Sequence, residues 1–503
     1  MWKTMCIAAL ATVLAAGCKK AEQQEAPAGA DPKVVAVEDK KAEPARVENA
    51  TEVPLISSSK EAIAELRQAR ALQDNIRGAE ALEHMRKAVQ LDPEFAQAHS
   101  DLAFAAPGDE AKQHLDKARA LVDKLPEAAR LDVETALAFA DDDVKKARAT
   151  CEKLAQLVPG DPRPQQCIGN TAVTVGDQAA AAAAFEKAIA NNPKSAPNYN
   201  SLAYARMALR QYDAALTAID KYAELAPGEP NPYDSKGEIL LAAGRYPEAE
   251  QAFQQAFKVA PQFSVALQGV AYSRFLRGDW AGGRAALAEQ KKAALDAREK
   301  AAATADTAMS FLVAGKPADA LTQLDAAEKE MVEAKATVQH AGLPLLRAAV
   351  QIDTGKAAQA LTSVDTALTR AKALQRADQI SGLTRNALIY KIYAQFKLGK
   401  ADDAAATLEA IKAEAAKNPD DLHAQADVHV GAGLVAWAKG DAAGAVKELS
   451  SCADNELFCR WQLAMAQAKA GDKAGAAATR KSIRDGAKRG WQYLYIANRL
   501  PKE

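Results

Sequence analysis

The sequence predicts an all-α chain: an α-solenoid of tandem helix-turn-helix repeats behind a disordered N-terminal tether. Three observations carry that prediction. Pro159, Pro193, Pro227 and Pro261 recur every 34 residues, and a fixed period of roughly 20 to 50 residues marks stacked repeats. Within each interval, apolar residues at helical spacing flank a short break, at Gly176-Asp177, Arg210-Gln211 and Gly244-Arg245. Runs of alternating β-branched and aromatic residues, which mark strands, are almost absent. Aromatics make up only 5% of the 503 residues, a composition suited to closely stacked helices. One helical hairpin cannot bury its own apolar face, and stacking on neighbours supplies a continuous core.

From the start of the chain, Met1 to Gly17 (MWKTMCIAALATVLAAG) places Lys3 before about a dozen mainly apolar residues. This is the pattern of a secretory signal, too short to span a bilayer. Residues 18–57 are rich in Ala, Glu, Lys and Pro without apolar periodicity. They read as a tether whose roughly 40 residues reach about 35 Å. Ser58-Ser59 is a plausible helix cap. From there to residue 290 the solenoid is expected, with proline after the second helix of each hairpin ending it. Pro93, Pro126 and Pro159 lie 33 residues apart, so two looser units precede the regular ones. Arg284 to Ala314 contains neither Gly nor Pro; it is expected as one long helix at a junction near residue 290. Residues 291–503 are expected to form a degenerate solenoid, with turns at Gly315-Lys316, Gly355-Lys356, Gly399-Lys400, Gly440-Asp441 and Gly471-Asp472. Trp491 to Leu500 reads as a helix capping the last apolar face.

The units resemble the tetratricopeptide repeat. The family's small pair in the first helix falls at Ile168-Gly169, Leu202-Ala203, Lys236-Gly237 and Val270-Ala271. Its Ala-x3-aromatic pair in the second helix falls at Ala181/Phe185, Ala215/Ile219 and Ala249/Phe253. The resemblance implies a right-handed solenoid whose first helices line a groove for protein or peptide segments. Carried over slot by slot, the groove residues are Arg163, Gln166 and Asn170, then Asn200 and Tyr204. Next come Asn231, Asp234 and Glu238, then Gln268 and Tyr272. Asn and Gln can pair with an extended backbone, and Tyr adds contact area with a polar tip. The bland reading is a solvated polar face. Leu14 to Cys18 (LAAGC) resembles a bacterial lipobox. That resemblance implies lipidation of Cys18, and Lys19-Lys20 after it implies sorting to the periplasmic face of the outer membrane.

Catalytic chemistry is not visible. The net charge of −1 leaves no overall nucleic-acid footprint. No H-E-x-x-H, nucleophile elbow, phosphate loop or dinucleotide fingerprint occurs, so no cofactor or metal is expected and an enzyme is disfavoured. The six histidines, at 84, 99, 114, 340, 423 and 429, read as surface or groove residues. Beyond Cys6 and Cys18, Cys151 and Cys167 lie on adjacent predicted helices and Cys452 and Cys459 flank one turn. They read as two local disulfides or as buried thiols. A basic cluster of Arg480, Lys481, Arg484, Lys488, Arg489, Arg499 and Lys502, with Trp491, Tyr493 and Tyr495, is a second candidate surface. The functional expectation is a membrane-anchored periplasmic protein–protein interaction scaffold. The alternatives are a scaffold of an exopolysaccharide or type IV pilus export machine, and an envelope enzyme or small-ligand binder.

Overall fold

The computed structural model describes residues 52–141, 143–374, 377–417, 422–451, 456–485 and 490–501. The signal and Cys18, most of the tether, Cys452, and Lys488, Arg489 and Lys502 of the basic cluster therefore lie outside the described residues. Two compact units divide the chain, the first running to Ser235 and the second from Lys236. Among the described residues there are only helices and turns.

The first unit contains α1 (Lys60–Asp74), α2 (Gly78–Leu91), α3 (Ala96–Ala105), α4 (Gly108–Leu121), α5 (Glu127–Ala140), α6 (Val144–Leu157), α7 (Pro162–Thr174), α8 (Gln178–Asn191), α9 (Ala196–Ala208) and α10 (Tyr212–Leu225). The division falls within α11 (Asn231–Ala242). The second unit continues with α12 (Tyr246–Val259), α13 (Ala266–Phe275), α14 (Trp280–Ala293), α15 (Ala297–Val313), α16 (Pro317–Glu333), α17 (Thr337–Asp353) and α18 (Ala357–Ala371). It ends with α19 (Ala377–Lys397), α20 (Ala401–Ala415), α21 (Leu422–Ala438), α22 (Ala442–Leu449), α23 (Leu457–Lys469), α24 (Lys473–Asp485) and α25 (Gly490–Ala497). Up to α24, odd-numbered helices are the first of each hairpin and even-numbered ones the second; α25 has no following helix among the described residues.

Local chemistry explains the breaks. Ser59 caps α1, its hydroxyl accepting from the Ala62 N–H. Gly176, Gly244, Gly278 and the five later turn glycines all have positive φ, where a Cβ is penalised. Arg210 occupies the equivalent turn at φ 60° and accepts the strain. Phe185 presses on Gly169 so closely that a Cβ there would lie 2.5 Å from its ring. Phe253 similarly fills the space against Gly237 and Gly269. The family's small-residue slots are thus seats for aromatic rings of the second helices.

Two expectations are corrected. The stretch from Arg284 to Ala314 is not one helix: α14 ends at Ala293, and Asp296 starts α15 by accepting from the Arg298 and Glu299 N–H groups at 2.8 and 2.9 Å. A capping carboxylate breaks the helix without Gly or Pro. The tether does not extend loosely to Ser57. Val53 to Ser58 is held against the first unit by hydrogen bonds to Asp161, Gln97 and Asp92.

Candidate functional site

First helices of successive hairpins touch one another, as α3 does with α5 in the first unit and α19 with α21 in the second. They therefore form the inner side of each unit. In the first unit the ends of that face converge too. Asp74, which ends α1, accepts from Ser195 Oγ at 2.7 Å and Asn192 Nδ2 at 3.0 Å before α9.

The inner face of the first unit holds part of its own chain. Gln97 of α3 is 0% exposed and clamps the main chain of the preceding segment in both directions. Its Oε1 accepts from the Ile56 N–H at 2.9 Å, and its Nε2 donates to the Pro54 carbonyl at 3.1 Å. The Val53 N–H donates to Asp161 Oδ2 at 2.9 Å. Asp92 accepts from Ser57 Oγ at 2.5 Å and from the Ser58 N–H at 2.9 Å. Three carboxamide or carboxylate groups thus read backbone over six residues, which is how an extended peptide is recognised.

A charged network lies beneath this segment. Arg70 of α1 pairs with Asp101 of α3 at 2.6 Å and Asp132 of α5 at 3.3 Å. Arg163 of α7 pairs with Asp161 at 2.6 Å and Asp132 at 3.5 Å. Gln97 Nε2 also donates to Asp132 at 3.2 Å. Burial pushes the Asp161 carboxyl up to about 7, against the Val53 N–H that favours its charged form. Burial works on Arg70 in the opposite sense, but Asp101 and Asp132 outweigh it and raise its value. For Asp92, burial works upward, and the donors at Ser57, Glu94 and Ser58 hold it below its ordinary value.

The sequence-predicted groove residues divide between the two units. In the first, Arg163 belongs to the charged network rather than to open surface. Gln166 is half-buried and Asn170 exposed on α7. Asn200 is half-buried on α9, its Oδ1 shielded from solvent without a donor. Tyr204 Oη donates to Ser235 Oγ at 3.2 Å, and Asn231 accepts from Tyr222 Oη at 3.1 Å. Asp234 is half-buried on α11. Glu238 is half-buried on the part of α11 that belongs to the second unit.

In the second unit, Gln268 and Tyr272 do not face open solvent. Gln268 Nε2 donates to Asp306 of α15. Tyr272 is buried with Trp491 edge-on to its ring at 5.1 Å and 67°. Trp491 belongs to α25, which corrects the expected cap: α25 lies on the inner face, against α13, α15, α17 and α23, as well as following the last hairpin. Trp491 Nε1 donates to Asp306 Oδ1 at 2.7 Å and its ring sits 5.3 Å from Phe275. Tyr495 Oη donates to Asp353 of α17, and Arg499 reaches the same carboxylate at 2.5 Å. Tyr495 also meets Trp461 of α23 edge-on at 6.0 Å. Burial pushes the Asp306 carboxyl up to about 6, the Gln268 and Trp491 donors acting against it.

The other candidates resolve as follows. Cys151 and Cys167 are joined, with Cα atoms 6.1 Å apart, stapling α6 to α7. Cys459 is disulfide-bonded. Of the basic cluster, Lys481 pairs with Asp485, Arg484 donates to the Pro501 carbonyl and Arg499 is committed to Asp353. His99 is buried rather than at the surface, bonded through Nε2 to the Pro93 carbonyl at 3.0 Å and through Nδ1 to His114 at 2.8 Å. The described residues contain no group of three or more potential metal ligands. Sequence reasoning missed Gln97, Asp92 and Asp161 as a main-chain clamp. Their signal was an Asp at the start of two hairpins, which also fits ordinary helix capping.

The chain matches the tetratricopeptide repeat family over residues 168–230 and 352–419. Both stretches are tetratricopeptide repeats. Proteins built on this repeat act as protein–protein interaction scaffolds that bind protein or peptide partners. Over 106 residues, 21% of this chain, it is 33% identical to small glutamine-rich tetratricopeptide repeat-containing protein 2 of Mycosarcoma maydis. It spans 30% of that relative's length. Among solved structures it is similar to yeast Tom70, with TM-score 0.44 and 13% identity, covering 84% of this chain and 96% of that one. It is also similar to a tetratricopeptide repeat protein from Parabacteroides merdae, with TM-score 0.39 and 16% identity, covering 52% and 99% of the two chains. The second matched stretch, residues 352–419, lies in the half where the sequence period had become irregular.

Proposed function

We propose that this protein is an envelope lipoprotein, anchored through Cys18 at the periplasmic face of the outer membrane, whose repeats hold extended segments of other proteins. One observation carries the second part of that reading. The inner face of the first unit already holds a segment of its own chain that is neither helix nor strand, bound through backbone contacts to Gln97, Asp161 and Asp92. Backbone recognition is tolerant of sequence, so the same face suits partners presented as extended chain. Asn170 and Asn200 continue the face on α7 and α9 with side chains able to pair with main chain. The lipobox-like run before Cys18 supports the anchor. No described helix is long and apolar enough to cross a membrane.

The test places a photoreactive residue at Asn170 on the inner face, and separately at Lys187, exposed on α8, in living cells. Discrete protein adducts at Asn170 that are absent at Lys187 are expected. Equal capture at both positions, or none at Asn170, overturns the inner-face reading. Metabolic palmitate labelling that Cys18→Ser fails to abolish overturns the anchor alone.

A further inference from the structure

The second unit has an inner face of different chemistry, and it too is occupied from within the chain. Trp491, Tyr495 and Arg499 recur at four-residue steps, so a helical path through them puts all three on one side. Their seats are two aspartates on neighbouring first helices. Asp306 takes the indole N–H, and Asp353 takes the phenol and the guanidinium. Apolar walls come from Tyr272 and Phe275 on one side and Trp461 on the other.

This seat differs from an ordinary end cap. A cap closes an apolar face with apolar residues. Here a carboxylate that is 2% exposed, Asp306, is met among the described residues by the neutral donors Trp491 and Gln268, and the buried Tyr272 hydroxyl has no hydrogen-bond partner among them. Burying a carboxylate costs free energy unless donors meet it, so Asp306 favours an occupant that supplies an N–H. The docked element is also short. An isolated helix under about a dozen residues is marginal in water, and α25 has eight, so its order depends on the seat.

We propose that the inner face of residues 236–501 is a docking site for a partner helix that presents Trp, Tyr and Arg at four-residue steps to Asp306 and Asp353, and that α25 is its resident occupant. The chemistry of the occupant is read from the seat itself: an aromatic N–H donor for Asp306, and an O–H donor backed by a cation for Asp353. The site is separate from the extended-segment face of the first unit, and it stands or falls whether or not that face holds a partner.

The test uses the full chain and a labelled peptide of residues 490–501. Wild-type chain is expected to leave the peptide unbound, because α25 fills the seat. Trp491→Ala loosens the resident helix, and this variant is expected to bind the wild-type peptide. A peptide carrying Trp491→Ala is expected to bind about thirtyfold more weakly, the usual loss for a buried aromatic anchor. Adding Asp306→Ala to the variant chain is expected to abolish the preference for Trp. Hydrogen exchange on wild-type chain gives a second readout, with amides of α25 exchanging faster than those of α15 and α17. Four results overturn the proposal: no peptide binding by the Trp491→Ala chain; binding indifferent to the peptide's Trp; loss of helical signal in that chain beyond the eight residues of α25, which makes α25 plain core; or equal protection of α25 and α15. A wild-type dimer that dissociates on Trp491→Ala assigns the seat to a second copy of this chain and overturns the partner assignment.

Discussion

Replacing Gln97 by alanine separates docking of the N-terminal segment from folding of the first unit. The side chain makes two bonds to that segment, to the Ile56 N–H and the Pro54 carbonyl. Each is worth about 0.5–1.5 kcal/mol net, so docking weakens by about 1–3 kcal/mol. That corresponds to a factor of roughly 5 to 150 in the open population. Asp132 loses its contact with Gln97 but keeps Arg70 and Arg163, so the network beneath survives. Pro54 to Ser57 are only half-buried, so the freed backbone groups are expected to find water without wider unfolding. Amide exchange resolved by peptide is the assay. Exchange at residues 53–58 is expected to rise by that factor, while the cores of α5 and α7 stay protected. Unchanged exchange at 53–58, or faster exchange spread evenly through α1 to α7, refutes the clamp.

Three further outcomes follow from the same structure. Cys151→Ala with Cys167→Ala opens a closure of 16 residues. It is expected to lower stability by up to about 3 kcal/mol, and non-reducing peptide mapping of the wild type should recover the 151–167 pair. Gly169→Ala places a methyl 2.5 Å from the Phe185 ring. Overpacking of about 1–3 kcal/mol is expected to exceed the helix-propensity gain of about 1 kcal/mol, lowering the denaturation midpoint. Asp306 has a folded-state value of about 6, raised by burial above its ordinary 3.8. Its contribution to stability is therefore fully present below pH about 4 and is lost as pH rises through about 6, by roughly 3 kcal/mol. Asp306→Asn, measured by denaturant titration from pH 4 to 7, is expected to flatten that fall and to match or exceed wild type at pH 7.

The repeat architecture was legible because it is local and redundant. Proline spacing, turn glycines and the Ala-x3-Phe pairs each point to the same hairpins, and Gly169 and Phe185 meet as the pattern requires. The break at Asp296 was hidden because a capping aspartate looks like any other acidic residue in a charged stretch. The clamp was hidden for a different reason. Gln97, Asp92 and Asp161 lie 41, 34 and 108 residues from backbone groups that they bind, and no local period encodes a contact of that length. Trp491 meeting Asp306 across 185 residues is the extreme case. The slots carried over from the family fall on first helices, and nothing in their spacing encodes what packs against them. Gln268 and Tyr272 are on the inner face, and α25 covers them.

The most direct test of the central claim, that the odd-numbered helices form the surface that holds partners, is an exchange footprint. The full chain is compared alone and with the protein captured through Asn170. Slowed exchange on α5, α7 and α9 is expected, with little change on α6, α8 and α10. Protection falling on the even-numbered helices, or on turns alone, contradicts it.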